Sequence, residues 1–452
     1  MKTLTENIET KESLFKQNIS SEDIIDWDYY QKIFEKVEFS NSNFFITGKA
    51  GTGKSTFIRY FIEHSVKKFI VLAYTGIAAL NVNGETINSF FQFPLKPLLP
   101  NSSDDIKVFN KNHPKRSIIK ELETIIIDEV SMVRADIMQG IDYSLRKNTG
   151  INKPFGGRQI IIVGDLFQIP PVVRSGSGVE SEMFKSVYKT PFFFSASAYK
   201  NANFKLLELT KTFRHNYKDF IKLLDLIRTA SFTNNDISLL NKSYKPYFEN
   251  NINNLRISLV TTNAIASRIN ESCLKKVSGQ TKVYHAVVQH DFAVSKFPTD
   301  YELKLKCGAQ IIMAKNDYCG RWVNGSIGKV HSLSDKCIEV KFENNKIYKV
   351  EKYTWYNIKY KWNKIKNRIT TEVLGAFEQY PIKLAWAITI HKSQGLTFNK
   401  VAIDLGFGAF AHGQLYVALS RCKTLNGIVL KSRIKPSDVI LDERVMRFCG
   451  NY

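Results

Sequence analysis

The order of elements along the chain predicts an α/β protein built on parallel sheets, its second α/β domain interrupted by a small antiparallel β-barrel. Three observations predict it. From Asn43 the pattern runs apolar strand, glycine loop, helix, strand, in FFITG, GKAGTGKS, TFIRYFIEH and KFIVLAYTG, the alternation of a parallel α/β sheet. The runs TIIIDE and IIIVGD are too continuously β-branched for a surface strand and suit strands buried on both faces. Between about 283 and 378 the helical signal fades into short alternating runs such as AQIIMAK, CIEVKFE and KIYKVEKYTW, separated by Asn, Gly and Asp turns, which predicts the barrel.

After the barrel, YPIKLAWAITI, KVAIDLG and GIVLKS restore the parallel pattern. The economical division is therefore a flank over 1–42 and a first α/β domain over 43–205. A second domain is split into 206–282 and 379–452, and the insertion spans 283–378. No internal repeat or low-complexity segment interrupts this plan.

Composition narrows the function. A chain of 452 residues has room for about two to four domains, and 44% apolar residues suffice for sizeable cores. No run approaches the roughly 18 consecutive apolar residues of a membrane span. The first residues lack a signal core or the Arg-rich look of a transit peptide, so a cytoplasmic, nucleoid-associated protein is expected in a bacterial host. Six cysteines without a CxxC pair read as reduced packing residues. The net charge of +22 argues for a polyanionic partner; a membrane surface would satisfy it equally well, and a generic surplus of lysine is the bland alternative. The first 43 residues hold five basic against nine acidic side chains, so the excess lies in the remainder.

Motifs decide among these. Gly48-Lys49-Ala50-Gly51-Thr52-Gly53-Lys54-Ser55 fits GxxxxGK[ST] between a predicted strand and a predicted helix, the context of a phosphate cradle. Its glycines let backbone N–H groups face phosphate oxygens, the helix start adds its dipole, Lys54 reaches the β and γ phosphates of ATP, and Ser55 holds Mg²⁺. Asp128 and Glu129 end a strand at the sheet edge where ligands bind. Asp128 is expected to position the metal and Glu129 to orient and deprotonate the attacking water, although such a pair also suits a helix N-cap. Gln168, in GDLFQIPP, is a neutral amide able to sense the γ-phosphate, or else a surface glutamine in a stiff turn. Arg214 in LTKTFRH and Arg421 in YVALSRC offer the planar forks that phosphoryl transfer needs. Alone, each would read as a salt-bridged surface arginine.

In order along the chain, TGKAGTGKS, YTGIAALNVNGETINSFF, IIIDEVSM, PFGGRQIIIVGDLFQIPPV, LTKTFR, LVTTNAIASRIN, WVNGSIGKV, ITIHKSQGLTF and YVALSR resemble the motifs of the Pif1-like DNA helicases. The resemblance runs from about residue 31 to residue 433, and the run NKPFGGRQIIIVGD is its most family-specific part. It implies two RecA-like P-loop domains that take ATP in their cleft and translocate 5′ to 3′ on single-stranded DNA. It also implies a monomeric motor without membrane attachment, acting on single-strand/duplex junctions, forks, R-loops and G-quadruplexes in replication, recombination, repair and telomere maintenance. Gln31 matches the spacing of the family's adenine-reading glutamine. The nucleotide set becomes Gln31, Gly48, Gly51, Thr52, Gly53, Lys54, Ser55, Thr56, Asp128, Gln394 and Gly395.

By family position, Thr75, Gly76, Ser89, Phe90 and Pro94 line one half of the DNA path, and Thr262, Asn263, His391 and Lys392 the other. Phe90, Phe91 and Phe93 suit core packing as readily as base stacking. His391 suits a structural role as readily as a DNA contact. Residues 92–116 resemble the family's wedge insertion, a candidate separating pin. The barrel's basic stretch, with Trp322, Trp355 and Trp362, reads either as a nucleic-acid face or as a barrel whose aromatics fill its own core. Two positions depart from the pattern: Asn88 stands where His is usual, and His215 where Gln is usual.

Overall fold

The structure, a computed structural model, describes residues 27–94, 96–98, 106–173, 179–211, 218–248, 255–317, 319–363 and 368–450. Arg214, His215 and the middle of the expected wedge lie outside the described residues. The chain divides into two compact units. The N-terminal unit takes in Ile25–Phe213, Tyr356–Gly375 and Arg447–Tyr452; the C-terminal unit takes in Arg214–Trp355 and Ala376–Met446.

Six parallel strands make the sheet of the N-terminal unit: β1 (Phe44–Gly48), β2 (Phe69–Ala73), β3 (Glu85–Thr86), β4 (Thr124–Asp128), β5 (Gln159–Val163) and β6 (Lys205–Leu209). Their order is β3-β2-β4-β5-β1-β6. The isoleucine runs of β4 and β5 are buried throughout, as strands covered on both faces must be. The helix Lys54–His64 packs Phe57, Ile58 and Phe61 on this sheet, and the helix Trp27–Glu38 adds Tyr30, Ile33, Phe34 and Val37 to the same core. The segment from Trp27 onward is thus part of the first domain's core and not a detached flank, because its four apolar residues recur at helical spacing.

The family-specific run has a packing explanation. The Phe155 N–H donates to the Asp142 carboxylate at 2.7 Å, and its ring is fully buried. A Cβ on Gly156 would stand 2.8 Å from the Leu145 carbonyl and 2.7 Å from the Thr149 hydroxyl. The run therefore seats the start of β5 against the helix Ala135–Thr149, an approach that only glycine allows.

The C-terminal unit carries a second parallel sheet. Its strands are β7 (Ile257–Val260), β18 (Ala387–Thr389), β19 (Val401–Asp404) and β20 (Ile428–Leu430), ordered β18-β7-β19-β20. Between β7 and β18 run β8 (Lys282–His285), β9 (Val287–His290), β10 (Glu302–Leu305), β11 (Gln310–Met313), β12 (Ile327–Leu333), β13 (Ile338–Phe342), β14 (Ile347–Val350), β15 (Tyr353–Asn363), β16 (Arg368–Gln379) and β17 (Ile382–Leu384). Five of them form an antiparallel sheet ordered β14-β13-β12-β11-β17. Pairing of β17 with β11 carries the module past the expected boundary at 378.

One core holds Trp322, Val330, Val340, Phe342 and Tyr380 of this module together with Val277 and Trp386. Trp322 stacks on Phe342, and Trp355 is 3% exposed. These two indoles fill the module's interior, so they are not faces for bases. Trp362 is a residue of whose side chain nothing is described.

The outer part of β15 and β16 falls in the N-terminal unit. There the Tyr360 hydroxyl donates to the Val71 carbonyl and accepts from the Val71 N–H, both at 3.3 Å. The Tyr360 N–H reaches the Glu85 carboxylate at 3.3 Å. Glu85 also receives the Ser89 hydroxyl at 2.8 Å and the Lys115 ammonium at 2.9 Å. Both charged side chains are almost wholly buried, and burial pulls the Lys115 ammonium below the ordinary lysine range. Replacing Lys115 by Met leaves Glu85 buried without its counter-ion. A loss of about 3–5 kcal/mol in folding stability is expected, read as a lower urea midpoint for the transition that reports the N-terminal unit.

Candidate active site

The parallel sheet of the N-terminal unit delivers its candidate residues to one edge. Register pairs Ala73 with Asp128, Ile127 with Ile162 and Ile46 with Val163. The loops after β1, β2, β4 and β5 therefore leave neighbouring strand ends together. After β1, Lys54 Nζ donates to the carbonyls of Gly48 at 2.7 Å and Lys49 at 3.0 Å. The buried Thr52 hydroxyl donates to Lys49 at 2.9 Å. Gly51 and Ser55 are exposed and Gly53 half-buried, so the loop presents backbone and hydroxyl outward. A Cβ on Gly48 would lie 2.6 Å from Thr52 Oγ1 and 2.8 Å from the Leu209 carbonyl, which is why this position needs glycine.

At the end of β4 the Glu129 N–H donates to Asp128 Oδ1 at 2.8 Å. Burial, then the neighbouring Glu129 charge, pushes the Asp128 carboxyl up to about 7, against the pull of the Glu129 N–H and of Lys54. Glu129 sits at φ 52°, a left-handed backbone that a non-glycine residue holds only where its surroundings enforce it. Beyond β5, Gln168 Nε2 donates to the Asp165 carboxylate at 3.3 Å, and the Phe167 N–H to the same carboxylate at 3.1 Å. Gln168 is 6% exposed; it is a held amide and not a surface glutamine. A hard dication suits this donor set. Mg²⁺ takes one or two protein oxygens and completes its shell with phosphate and water, and Ser55 and Asp128 offer a hydroxyl and a carboxyl whose charged form burial disfavours. No group of three or more His, Cys, Asp and Glu that could hold a metal occurs among the described residues.

The residues expected along the DNA path occupy the following positions in the N-terminal unit. Thr75 caps the helix Gly76–Asn81 through Ala78 N–H at 3.2 Å, and Ser89 and Pro94 are half-buried. The Phe90 ring is fully buried, with Phe91, and Phe93 nearly so. Lys115 Nζ lies 4.3 Å from the Phe90 ring centre, so Phe90 packs in the core and has no face left for a base. Of the expected wedge, Leu98, Ile106 and Phe109 are buried, with the Phe109 N–H donated to Asn148 at 2.8 Å.

In the C-terminal unit, Thr389 and Asp404 both pair with Val260, so β18, β7 and β19 end in one row. Thr262 caps the helix Asn263–Lys276, and Thr262, Asn263 and Lys392 are exposed there. His391 is half-buried, and burial holds its imidazole below the usual range, neutral at pH 7. Gln394 is half-buried and Gly395 exposed. Arg421 is 3% exposed. Its guanidinium donates to the carbonyls of Val417 at 3.0 Å, Ser393 at 3.2 Å and Leu396 at 3.1 Å, and to the Ser420 hydroxyl at 2.8 Å. It thereby ties its own helix to the Gln394–Gly395 loop.

Comparison with known proteins gives the family. A family model described as PIF1-like helicase matches residues 26–237. The Bacteroides Pif1 crystal structure in complex with ADP-AlF4 superposes with a TM-score of 0.87 at 39% identity, over 95% of this chain and 97% of that one. The chain belongs to the PIF1-like helicase family. A second Bacteroides Pif1 structure, with ADP-AlF3 and single-stranded DNA, matches at 40% identity and a TM-score of 0.68, over 95% of this chain and 98% of that one. The ATP-dependent DNA helicase Pif1 of Campylobacter jejuni is 29% identical over 89% of this chain and 92% of its own length. The two parallel sheets are thus RecA-like domains of a PIF1-like chain, the second interrupted by the antiparallel module.

Three groups at these edges escape a motif reading. Tyr30 donates its hydroxyl to the Gly53 carbonyl at 3.2 Å and meets the Thr56 hydroxyl, so the helix that carries exposed Gln31 is bolted to the phosphate loop. Asp165 orients Gln168. Lys383, on β17, is pushed down to about 8 by burial and by the Lys392 charge. Tyr30 could have been found from its place one residue before Gln31; the other two carry no signal in sequence.

Two outcomes follow for this PIF1-like chain. Gly48→Ala forces the phosphate loop away from Leu209 and weakens ADP binding at least about tenfold, or about 1.4 kcal/mol, read by isothermal titration. The depressed Lys383 ammonium is partly deprotonated at pH 8, and a neighbouring phosphate favours the charged form. Binding of a polyanionic strand at pH 8 is therefore expected to take up protons in weak buffer. Lys383→Met removes that uptake, and unchanged uptake in that variant counts against the assignment.

Proposed function

We propose that this PIF1-like chain is an ATP-dependent DNA helicase that translocates 5′ to 3′ along single-stranded DNA and opens duplex at junctions. Forks, R-loops and G-quadruplexes are its structured substrates, and the motor acts as a monomer. The observation that carries this reading is the convergence of the Gly48–Ser55 loop, Asp128–Glu129 and Gln168 on one sheet edge of the N-terminal unit. The related Bacteroides Pif1, whose structures hold ADP-AlF4 or single-stranded DNA, supports it.

Lys54 leaves the Gly48 and Lys49 carbonyls for the phosphates of ATP, exchanging two neutral acceptors for charged ones, which bind more strongly. Glu129, fixed by its left-handed backbone, orients the attacking water and takes its proton. Gln168, held by Asp165, hydrogen-bonds at the γ-phosphate and reports its loss. Mg²⁺ at Ser55 and Asp128 would neutralise the charge that develops on the phosphate oxygens. Arg421 and Arg214 are the proposed arginines of phosphoryl transfer, and Arg421 must exchange its carbonyl partners to act so.

Turnover then alternates the grip of the two RecA-like domains on the strand. Opening a base-pair step costs on average about 1.4 kcal/mol, so direction and coupling, not energy, set the design. The helix start at Thr262–Asn263 and the exposed Lys392 supply N–H groups and charge for the sugar-phosphate backbone. Thr75, Gly76, Ser89 and Pro94 are the proposed contacts of the N-terminal unit.

Lys54→Ala is expected to abolish ATP turnover and strand separation while single-strand affinity stays near that of the unaltered chain. Glu129→Gln retains ATP binding but slows single-turnover hydrolysis about 10²–10⁴-fold. A 5′-tailed duplex is unwound and a 3′-tailed one is not. ATP turnover without separation of either duplex would instead identify a translocase that remodels protein–DNA complexes.

A further inference from the structure

We propose that Phe407 and Phe410 form a base-stacking platform for single-stranded DNA on the C-terminal unit. Single-strand binding needs aromatic faces as well as backbone contacts. The aromatics that the motifs and composition single out do not supply them, since Phe90, Trp322 and Trp355 are buried. The loop between β19 and the helix Gln414–Ser420 presents two rings instead. Phe407 is fully exposed to solvent, and Phe410 is 63% exposed.

Position argues for a nucleic-acid ligand. β19 lies beside β7, with Asp404 in register with Val260. The loop therefore leaves the same sheet edge as Thr262 and Asn263, one strand spacing of about 4.8 Å away; the loop bearing His391 and Lys392 follows β18 on the other side of β7. The loop that bears the two rings thus starts beside the loop of Thr262 and Asn263, proposed to hold the sugar-phosphate backbone, in a chain of net charge +22.

The loop is also built. Gly406 N–H donates to the Asp404 carboxylate at 3.0 Å, and Gly408 N–H to the Leu405 carbonyl at 3.1 Å. Ala409 N–H donates to the Asp438 carboxylate at 3.1 Å, and Phe410 N–H to Gln414 Oε1 at 2.9 Å. Asp438 and Gln414 are themselves buried. A Cβ on Gly408 would stand 2.7 Å from Asp438 Oδ1, so the anchor admits no side chain there. Neither phenylalanine makes a ring contact among the described residues. The backbone is fixed while the rings stand free, so stacking costs little ordering of the loop.

The platform rests on the helicase reading, and the experiment separates the two. Affinity is measured by fluorescence anisotropy for a fluorescein-labelled oligothymidylate and for an abasic strand of equal length, with the unaltered chain, Phe407→Ala and the double variant Phe407→Ala/Phe410→Ala. Loss of at least about fivefold for each ring removed is expected on the thymidylate. On the abasic strand all three chains bind alike. The salt dependence is unchanged, because no phosphate contact is lost. Phe407→Trp retains thymidylate affinity, and its fluorescence is quenched by that strand and not by the abasic one. Equal loss on both strands, or no loss on either, overturns the platform while leaving the helicase reading intact. If the unaltered chain binds neither strand, both fall. Melting temperatures matching the unaltered chain, expected for exposed side chains, show that any loss is not unfolding.

Discussion

Parallel pairing is the constraint on which the rest of this molecule depends. Strands that run in one direction place all their carboxyl ends along one edge, and the chain must cross back, usually through a helix, before the next begins. Gly48, Ala73, Asp128 and Val163 end four strands of one sheet, and Val260, Thr389 and Asp404 end three of another. Residues far apart in sequence thereby become neighbours with no need for side chains to seek one another. The packing that holds the sheets, isoleucine upon isoleucine in β4 and β5, is the scaffold that lets exposed loops keep fixed positions.

The same constraint explains how the nucleotide loop is charged. A backbone loop that faces a polyanion must be dense in N–H groups and free of side chains, and in the structure Lys54 rests on that loop's own carbonyls. Asp128, buried next to Glu129, is held above the ordinary carboxyl range despite the pull of Lys54. Both groups are poised for partners of opposite charge. Gln168 and Arg421 are already engaged, the first with Asp165 and the second with three carbonyls and a hydroxyl. The Glu85–Lys115 pair shows a different use of charge. It gathers Ser89, Phe90 and Tyr360 around one buried ion pair, and thereby ties the outer part of β15 to the helix that bears Ser89.

Much of this was legible from local pattern. The phosphate loop, the strands that precede it and Asp128, the return to parallel pattern after the barrel, and the family itself could be read from runs of a few residues. The aromatics could not. Phe90, Trp322 and Trp355 stand among basic or polar neighbours in sequence, yet lie in cores, whereas Phe407 stands in a glycine-rich run and is bare. The expected flank before Asn43 proved to include a helix that shares the first domain's core, and the barrel ran on past its expected end to β17. Such boundaries depend on which apolar face finds a partner.

By itself, the sequence determined the chemistry available: a glycine-spaced cradle with Lys54 and Ser55, two carboxylates closing an apolar strand, and a surplus of positive charge. These follow from backbone sterics and charge, which act between near neighbours. Only the tertiary structure decided which groups are within reach, because burial is set by whichever distant segment covers a side chain. That is why Tyr30 supports the nucleotide loop, Asp165 holds Gln168, Lys383 loses part of its basicity beside Lys392, and two phenylalanines, not a tryptophan, face the solvent on the second sheet's edge.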